Sequence, residues 1–410
     1  MRSNPKTVYV LGAGFSRDAG LPLQAQILPR IVAFKPDLPL LEAPLHYAYL
    51  EDFWSCRNSL LGLLRETFPS SITTPGSSFP RRELPPLEDV FTLLDHTISR
   101  RQGCRAFSWQ ALEAAREALK RTILFVVHAA SERAEPRPMD CYRRFAAHLL
   151  ETRIRSGQPA DPFSIVSLNW DCILEESIYW CLQKIGAIKK ADIDYCCYTT
   201  PLGPGCWHTP SVLQKSKGLF NLKVMKLHGS ANWLLCPNCN RLYTGLGAEA
   251  DAWELYMRPR ACPSCLQAAP HQEGVVHPQL DPFFITPTFL KVFDNPHIQM
   301  TWHNAYVEIS EASELVFIGY SFPEADYHFR TFLRRAVRPD ARITAVLTDS
   351  DRPKRNTPRR LLSAFAATRY LKFFGARTRF EFGGVRAYFT TLLGSVPLSA
   401  RLNRLRRRLA

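Results

Sequence analysis

Three short polar segments, far apart in the chain, each follow an apolar, β-branched run that is typical of a buried strand. They are GAGFSRDAGLP at 12–22, SLNWD at 167–171 and KLHGS at 226–230. In an open parallel sheet, the loops after the strands lie at one edge, and this edge is where such sheets bind ligands. The three segments are therefore predicted to face one crevice, with glycines, an amide, a carboxylate and an imidazole around it.

Further strand-like runs alternate with helical patterns in the second half of the chain. Apolar runs occur at 163–168, 222–227, 283–286, 314–320 and 342–348, and helical patterns such as CILEESIYWCLQKI separate several of them. Strands that alternate with helices form a parallel sheet covered by helices on both faces. The predicted fold class is therefore α/β, with a doubly wound, Rossmann-like parallel sheet.

Two stretches interrupt this alternation. The first is rich in leucine, alanine and arginine at helical spacing, and it includes an amphipathic helix from Trp109 to Ala134 with Ser108 as its N-cap. The second is polar and carries cysteines. We therefore predict an α/β domain, a mainly helical insertion, a cysteine module and a basic tail. The α/β domain comprises 1–22, 161–230 and 273–400. The helical insertion comprises 23–160, the cysteine module 231–272 and the basic tail 401–410.

Composition favours a soluble, cytoplasmic chain. Its 410 residues can bury a core without disulfide support, and its 12 cysteines do not form the pattern of a secreted disulfide framework. No apolar stretch is long enough to span a bilayer and no cleavable leader precedes the first strand, so no membrane partner is expected.

The formal net charge of +15 favours anionic partners, which include both nucleic acids and the pyrophosphate of a dinucleotide. Much of this charge lies in DRPKRNTPRR at 351–360 and in RLNRLRRRL at 401–409. The tail is open to two interpretations, a solvated helix end or a contact with nucleic acid or another partner. Charge alone does not decide the function.

The loop GAGFS follows the first strand. Gly12 and Gly14 lack Cβ atoms, so the backbone can approach a phosphate and present its amides, and Ser16 can add a hydroxyl donor. The common fingerprint GxGxxG is not present, because its third glycine would fall at Arg17. A single glycine turn after a strand is only a weak indication of a nucleotide site.

Asn169, Asp171 and His228 are the candidate catalytic residues. Taken alone, Asn169 is equally a turn residue and Asp171 a helix N-cap. A lone histidine is more often structural than catalytic, but His228 stands at a strand end, where an imidazole that titrates near neutrality can take up a proton.

Four cysteines form two CPxC pairs, and their spacing is typical of a zinc ribbon. Four thiolate ligands fill a tetrahedral site and leave no position for water, which indicates a structural role. The candidate metal ligands are Cys236, Cys239, Cys262 and Cys265.

Taken in order, the glycine loop with its Gly20-Leu21-Pro22, Asn-x-Asp, His-Gly, the paired CxxC and a glycine–serine turn at 319–321 resemble the sirtuin superfamily. The divergent sirtuin-like proteins of bacterial defence systems are most similar. The resemblance implies that NAD is the substrate and that zinc is structural. It also implies cofactor contacts at Gly12, Ala13, Gly14, Phe15, Ser16, Gly20, Gly319, Tyr320, Ser321, Thr348 and Asp349.

The resemblance implies roles for the catalytic candidates as well. In this family the asparagine orients water and the nicotinamide ribose, the aspartate contacts the nicotinamide end, and the histidine is the base. These roles fall on Asn169, Asp171 and His228. The segment GYSFPEAD can equally be only a turn and a helix cap, with Pro323 and Asp326 in those positions.

Two departures from the family pattern favour hydrolysis over deacylation. Deacylating sirtuins continue with Asp-Phe-Arg after the loop proline, where this chain has Leu23-Gln24-Ala25. They also carry a Phe-Gly-Glu element, which FFITPTFLK at 283–291 lacks. Because nicotinamide leaves a pyridinium as a neutral molecule, hydrolysis needs little beyond an oriented water.

The resemblance therefore predicts an enzyme, an NAD hydrolase that yields nicotinamide and ADP-ribose and that depletes NAD during phage infection. The alternatives are an NAD-dependent protein deacylase or ADP-ribosyltransferase, and a non-catalytic sensor of NAD or ADP-ribose. The helical insertion and the basic tail are the expected surfaces for a homo-oligomer or for a regulatory partner such as an ATPase or a nucleic-acid sensor.

Overall fold

The computed structural model shows an α/β chain. It describes residues 5–33, 44–68, 84–132, 136–157, 161–202, 220–245, 260–269, 277–291, 293–354 and 357–409.

Eleven strands are present in the described residues. They are β1 Thr7–Leu11, β2 Phe163–Ser167, β3 Ala191–Asp194, β4 Thr199–Pro201, β5 Phe220–Lys226, β6 Gly229–Leu235, β7 Leu242–Thr244, β8 Asp281–Phe284, β9 Glu314–Ile318, β10 Arg342–Val346 and β11 Thr378–Glu381.

The α-helices of the described residues are α1 Ala13–Ser16, α2 Gln24–Val32, α3 Pro44–Thr67, α4 Leu87–Ser99, α5 Trp109–Glu132, α6 Pro136–Arg155, α7 Ile173–Lys184, α8 Pro263–Ala268, α9 Pro296–Glu311, α10 Tyr327–Ala336, α11 Ala366–Phe374, α12 Gly384–Leu393 and α13 Leu398–Leu409.

Seven parallel strands form the main sheet in the order β11-β10-β9-β1-β2-β5-β3. From β1 the chain first builds outward through β2 and later returns to β1's other edge with β9. The order of the strands therefore reverses between β1 and β9. In open α/β sheets this switch point is where a crevice opens at the carboxyl ends of the strands.

Both faces of the sheet are buried. Side chains of β1 alternate between them: Tyr9 and Leu11 join one apolar core, and Val8 and Val10 join the other. Helices α6, α7 and α12 pack on the first face, and α9, α10 and α11 pack on the second. The predicted doubly wound fold class is confirmed.

A second, smaller sheet has the order β4-β7-β6-β8, in which β6 pairs antiparallel with both β7 and β8. Strand β6 begins at Gly229, immediately after His228, and leads to the first cysteine pair. The small sheet therefore connects the end of β5 to the cysteine module.

Helices α2 to α6 lie within 23–160, the range that the sequence predicts as a helical insertion. Helix α5 starts at Trp109 as predicted, and the Ser108 hydroxyl accepts a hydrogen bond from the Ala111 amide at 3.2 Å, as an N-cap does. Residues 133 and 134, the predicted end of this helix, lie outside the described residues.

The basic tail is part of helix α13, which packs on α6. Arg401 is buried, and together with Arg404 it binds the Glu151 carboxylate at 2.6 and 2.8 Å. Leu405 is fully buried on the same face, whereas the arginines at 406–408 are exposed. Part of the tail's charge therefore stabilises the fold. Within the described residues, no helix combines the length and the apolarity that crossing a membrane requires.

A buried ion pair supports the ends of β2 and β5. The Lys226 ammonium lies 3.0 Å from the Glu175 carboxylate, and both side chains are almost completely buried. Burial alone would lower the pKa of Lys226, but the negative groups around it, Glu175 foremost, together outweigh burial and raise it. Lys226 also donates to the carbonyl oxygen of Asp171, so the pair fixes the loop after β2.

We expect Lys226→Met to lower the free energy of unfolding by about 3 kcal/mol or more, because it leaves the Glu175 carboxylate buried without its cation. Urea denaturation measures the change. Arg338→Met is the matched control: the Arg338–Asp340 pair is solvent-exposed, and its loss should leave the urea midpoint unchanged. Equal midpoints for Lys226→Met and the native chain would contradict this role of the ion pair.

Candidate functional site

The loops after β1 and β9 cross in close backbone contact at the switch point. The Gly12 amide donates to the carbonyl oxygen of Ile318 at 3.0 Å, and the Gly14 amide donates to that of Gly319 at 2.8 Å. A Cβ on Gly14 would lie 2.7 Å from the Gly319 oxygen, and one on Gly319 would lie 2.1 Å from the Phe15 nitrogen. The glycines are thus required by the contact between the loops themselves.

This contact changes the prediction for phosphate binding. The Gly12 and Gly14 amides donate to β9-loop carbonyls, and the Phe15 amide donates to the Gly12 carbonyl at 2.8 Å. These three amides, expected to be presented to an anion, already have acceptors. The exposed side chain of Arg17 lines the same crevice and supplies a positive charge there.

Asn169 joins the loop after β2 to the glycine loop. Its side chain is buried, and Nδ2 donates to the Gly12 carbonyl oxygen at 2.9 Å and lies 3.4 Å from the Ser16 Oγ. The Ser16 hydroxyl in turn donates to the Asp171 Oδ1 at 2.9 Å. Two of the predicted catalytic residues therefore form one network with the predicted phosphate loop.

The Asp171 carboxylate binds a backbone amide at the start of α7, as a helix cap does, although Cys172 occupies the N-cap position itself. The Asp171 Oδ1 accepts from the Ile173 amide at 3.2 Å. Burial raises the pKa of this carboxyl, and the nearby charge of Lys226 opposes the rise. Asp171 also lines the crevice.

His228 is buried at the start of the small sheet. Its Nδ1 lies 3.3 Å from the Leu168 carbonyl oxygen, and its Nε2 lies 3.5 Å from the Lys291 Nζ. Burial and the positive charge of Lys291 together lower the pKa of His228 to about 3. The imidazole is therefore neutral at pH 7.

Lys291 and Asp326 belong to the site although the sequence did not indicate them as site residues. The Lys291 ammonium lies 2.7 Å from the Asp326 Oδ1, and the Tyr320 hydroxyl donates to the Asp326 Oδ2 at 3.0 Å. Asp326 stands at the N-cap position of α10, as the alternative interpretation of GYSFPEAD proposed, but its side chain makes no cap hydrogen bond. Its carboxylate interacts with Lys291 instead.

These groups surround one cavity of about 460 Å³ at the carboxyl edge of the main sheet. Most of the predicted site residues line it. They are Gly12, Ala13, Gly14, Asn169, Asp171, His228, Gly319, Tyr320, Ser321 and Thr348.

Four predicted residues do not line the cavity. The Phe15 ring is buried against Tyr142 and Phe389, and Ser16 lies behind the loop in the Asn169–Asp171 network. Gly20, with a φ of +91°, ends the short 3₁₀ helix that follows the loop. Asp349 starts another 3₁₀ turn, whose next two residues line the cavity in its place.

The helical insertion supplies one wall of the cavity, which the sequence did not reveal. Leu23, Ile27 and Val127 contribute apolar side chains, and Glu88 of α4 contributes a carboxyl. Burial raises the pKa of Glu88, with a further rise from the charge of Asp326. A helical pattern fixes which face of a helix is apolar, but it does not indicate which distant loop that helix contacts.

The four predicted cysteines come together. Their sulfur atoms all lie within 4.8 Å of one another, with 3.7 Å between Cys236 and Cys265 and 3.7 Å between Cys239 and Cys262. Four sulfurs at tetrahedral positions about 2.3 Å from a zinc ion are about 3.8 Å apart. The donor set and its spacing therefore fit zinc.

Solved structures that the chain matches include sirtuins and Sir2 homologues. One, described as the structural basis for sirtuin substrate affinity, is 13% identical over 94% of this chain and 91% of that chain, with a TM-score of 0.36. A Sir2 homologue in complex with NAD is 12% identical over 99% of this chain and 91% of that chain, with a TM-score of 0.38.

A third structure, from work on the mechanism and regulation of Sir2 enzymes, is 11% identical over 99% of this chain and 95% of that chain, with a TM-score of 0.38. No family model matches the chain, and no curated protein matches it.

We expect Gly319→Ala to destabilise the protein far more than Gly394→Ala. Both glycines have φ near +60°, a backbone conformation that strains alanine by about 1–3 kcal/mol. Gly394 has open space where a Cβ would lie, whereas a Cβ on Gly319 meets the glycine loop. Overpacking should add about 1–3 kcal/mol. Similar thermal midpoints for the two variants would show that the crossing of the loops is not tightly packed.

Proposed function

We propose that this chain binds NAD in the cavity at the switch point and hydrolyses its nicotinamide–ribose bond, which yields nicotinamide and ADP-ribose. The observation that supports it is the convergence of Asn169, His228 and the two glycine loops on one cavity. The switch point is the position at which doubly wound sheets bind dinucleotides. Such an activity depletes NAD, which is the antiphage role that the sirtuin resemblance suggests.

The residues that would bind the two halves of NAD differ in chemistry. Arg17 would neutralise the pyrophosphate, since three of the loop amides already have acceptors. Ser321 and Thr348, which follow β9 and β10 and line the cavity, would offer hydroxyls to the adenosine half. The nicotinamide half would then face Asn169 and His228.

Asn169 is suited to orient a water molecule. Its amide nitrogen is committed to the Gly12 carbonyl, so the other branch of the amide, the carbonyl oxygen, is the atom that can accept a hydrogen bond from water or a ribose hydroxyl. A fixed acceptor beside the anomeric carbon lowers the entropy cost of attack.

The state of His228 favours hydrolysis over deacylation. With a pKa of about 3, the imidazole is a weak base at neutral pH, but its Nε2 can still accept a hydrogen bond. Deacylation by the family's mechanism needs this base to remove a proton from a ribose hydroxyl. Hydrolysis of a bond to a neutral leaving group needs an oriented water and stabilisation of an oxocarbenium-like ribose.

We expect His228→Ala and Asn169→Ala each to lower nicotinamide release by about 10²-fold or more, because each removes a hydrogen-bonding group at the reacting carbon. Chromatography of nicotinamide and ADP-ribose from the purified chain with NAD measures this. His303→Ala, at an exposed position on α9, is the matched control and should match the native rate.

The same assay separates the alternatives. Equal amounts of nicotinamide and ADP-ribose without any acyl peptide or protein acceptor indicate hydrolysis. A strict requirement for an acylated peptide indicates deacylation, and ADP-ribose attached to protein indicates transfer. Full turnover in both His228→Ala and Asn169→Ala would refute the assignment, and NAD binding without turnover would favour a sensor.

We further propose that the four cysteines hold one structural zinc ion. When bound, zinc would crosslink the loop after β6 to helix α8, and the Tyr243 hydroxyl, 3.4 Å from the Cys262 sulfur, would support that thiolate. The ligand set leaves no open position, so no catalytic step is assigned to the metal.

Metal analysis should find one zinc per chain, and removal by a chelator should lower Tm by about 5 °C or more, because the module loses its crosslink. Cys239→Ser should reproduce the loss of both zinc and stability. Cys104→Ser, outside the cluster, should change neither. A native protein with far less than one zinc per chain would contradict the proposal.

A further inference from the structure

The two ring nitrogens of His228 have different neighbours, and these neighbours define its tautomer. Nδ1 lies 3.3 Å from the Leu168 carbonyl oxygen, which can only accept a hydrogen bond. The proton is therefore on Nδ1. Nε2 is left with a lone pair, and the Lys291 Nζ lies 3.5 Å from it.

Lys291 is fixed by a buried ion pair. Its side chain is 6% exposed and that of Asp326 is 16% exposed, with 2.7 Å between the Lys291 Nζ and the Asp326 Oδ1. The second Asp326 oxygen accepts from Tyr320 at 3.0 Å. Burial alone would raise the pKa of Asp326, but Lys291 holds it below its usual range, so this carboxyl is ionised at pH 7.

The loop that carries Lys291 is anchored by the helical insertion. The Phe289 amide donates to the Thr92 Oγ1 of α4 at 3.0 Å, and the Thr92 and Thr288 hydroxyls are 3.3 Å apart. The Leu290 amide donates to the Thr288 Oγ1 at 3.1 Å. Because these bonds involve the residues just before Lys291, they limit where its ammonium can lie.

We propose that Lys291, fixed by Asp326, is a positioning residue for His228: its ammonium beside Nε2 disfavours the imidazolium and leaves the ring proton on Nδ1, with Nε2 as the acceptor. The tautomer and charge of His228 do not depend on the proposed NAD cleavage. The kinetic consequences of the proposal rest on it.

The charged groups around His228 act in opposite directions. Lys291 is a like charge for an imidazolium, and His328 on α10 adds to its effect. Asp326 attracts an imidazolium, and Glu88 of α4 interacts with both members of the ion pair. Burial and Lys291 outweigh Asp326, which is why the pKa of His228 falls.

The test is nuclear magnetic resonance of the full chain labelled at the histidine rings, with the His228 signal assigned by its absence in His228→Gln. At pH 7 the ring nitrogen shifts of the native chain should report the Nδ1–H tautomer. A midpoint for protonation should not appear above about pH 4. In Lys291→Met we expect the midpoint to rise by about two pH units, into the range of pH 4–6, since the like charge is gone and Asp326 remains.

Two variants control the titration. Lys291→Arg keeps the charge and should keep His228 neutral, while Lys189→Met removes an exposed lysine and should leave the His228 signal unchanged. The inference is overturned if folded Lys291→Met titrates like the native chain, or if native His228 carries its proton on Nε2.

Kinetics give an independent readout. Nicotinamide release by the native chain should not fall through protonation of His228 between pH 8 and pH 5. In Lys291→Met, release should fall about tenfold as pH is lowered through the new midpoint, and Lys291→Arg should restore the flat profile. A loss that is equal at every pH would indicate a merely structural lysine and would overturn the inference. If the native chain releases no nicotinamide, the proposed function fails, and the resonance titration still decides the role of Lys291.

Discussion

The site depends on the close crossing of two backbone loops at the switch point. The loops after β1 and β9 come within hydrogen-bonding distance because Gly12, Gly14 and Gly319 have no side chains between them. A side chain at any of these positions would push the loops apart or fill the space between them. With the two loops joined at the backbone, the space above the carboxyl ends of the strands is left as the cavity.

Hydrogen bonds and an ion pair connect the crossed loops to the ends of the neighbouring strands β2 and β5. Asn169 connects the β2 loop to the glycine loop, and Ser16 connects the glycine loop to Asp171. Lys226, at the end of β5, donates to the Asp171 carbonyl and pairs with Glu175 on α7. Asn169 and Asp171 are thus fixed by the same bonds that hold the strand ends together, so their geometry is set before any ligand binds.

Residues that stand at strand ends could be predicted from the sequence, since the end of a strand fixes their place in the fold. The strand patterns placed Asn169 and His228 at one edge, the CxxC spacing brought four cysteines together, and Ser108 marked the start of α5. The Lys291–Asp326 pair could not be predicted in this way, because it depends on how two loops fold over the cavity.

The glycine loop shows a different limit of sequence patterns. A glycine pattern records that a backbone position tolerates no Cβ, but it does not say what lies against that position. At Gly14 the nearest atoms belong to Gly319, more than 300 residues away in the chain. We expected a bound pyrophosphate against this position, and the structure has a second loop there. Either neighbour requires a glycine.

The two segments that depart from the deacylase pattern both line the cavity. Leu23-Gln24-Ala25 leads into α2 and makes the insertion wall beside the glycine loop. The segment 283–291 brings an ammonium to the Nε2 of the candidate base. A histidine beside an ammonium is a poor acceptor of a ribose proton but remains a hydrogen-bond acceptor.

On the proposed function, these replacements act in the same direction. The ammonium weakens the removal of a ribose hydroxyl proton by His228, on which deacylation depends. Attack by an oriented water needs only hydrogen-bond acceptors, and these remain. The insertion supplies both the wall that contains Leu23 and, through Thr92, the anchor of the lysine loop. A shift of α4 would therefore change the cavity wall and the surroundings of His228 together.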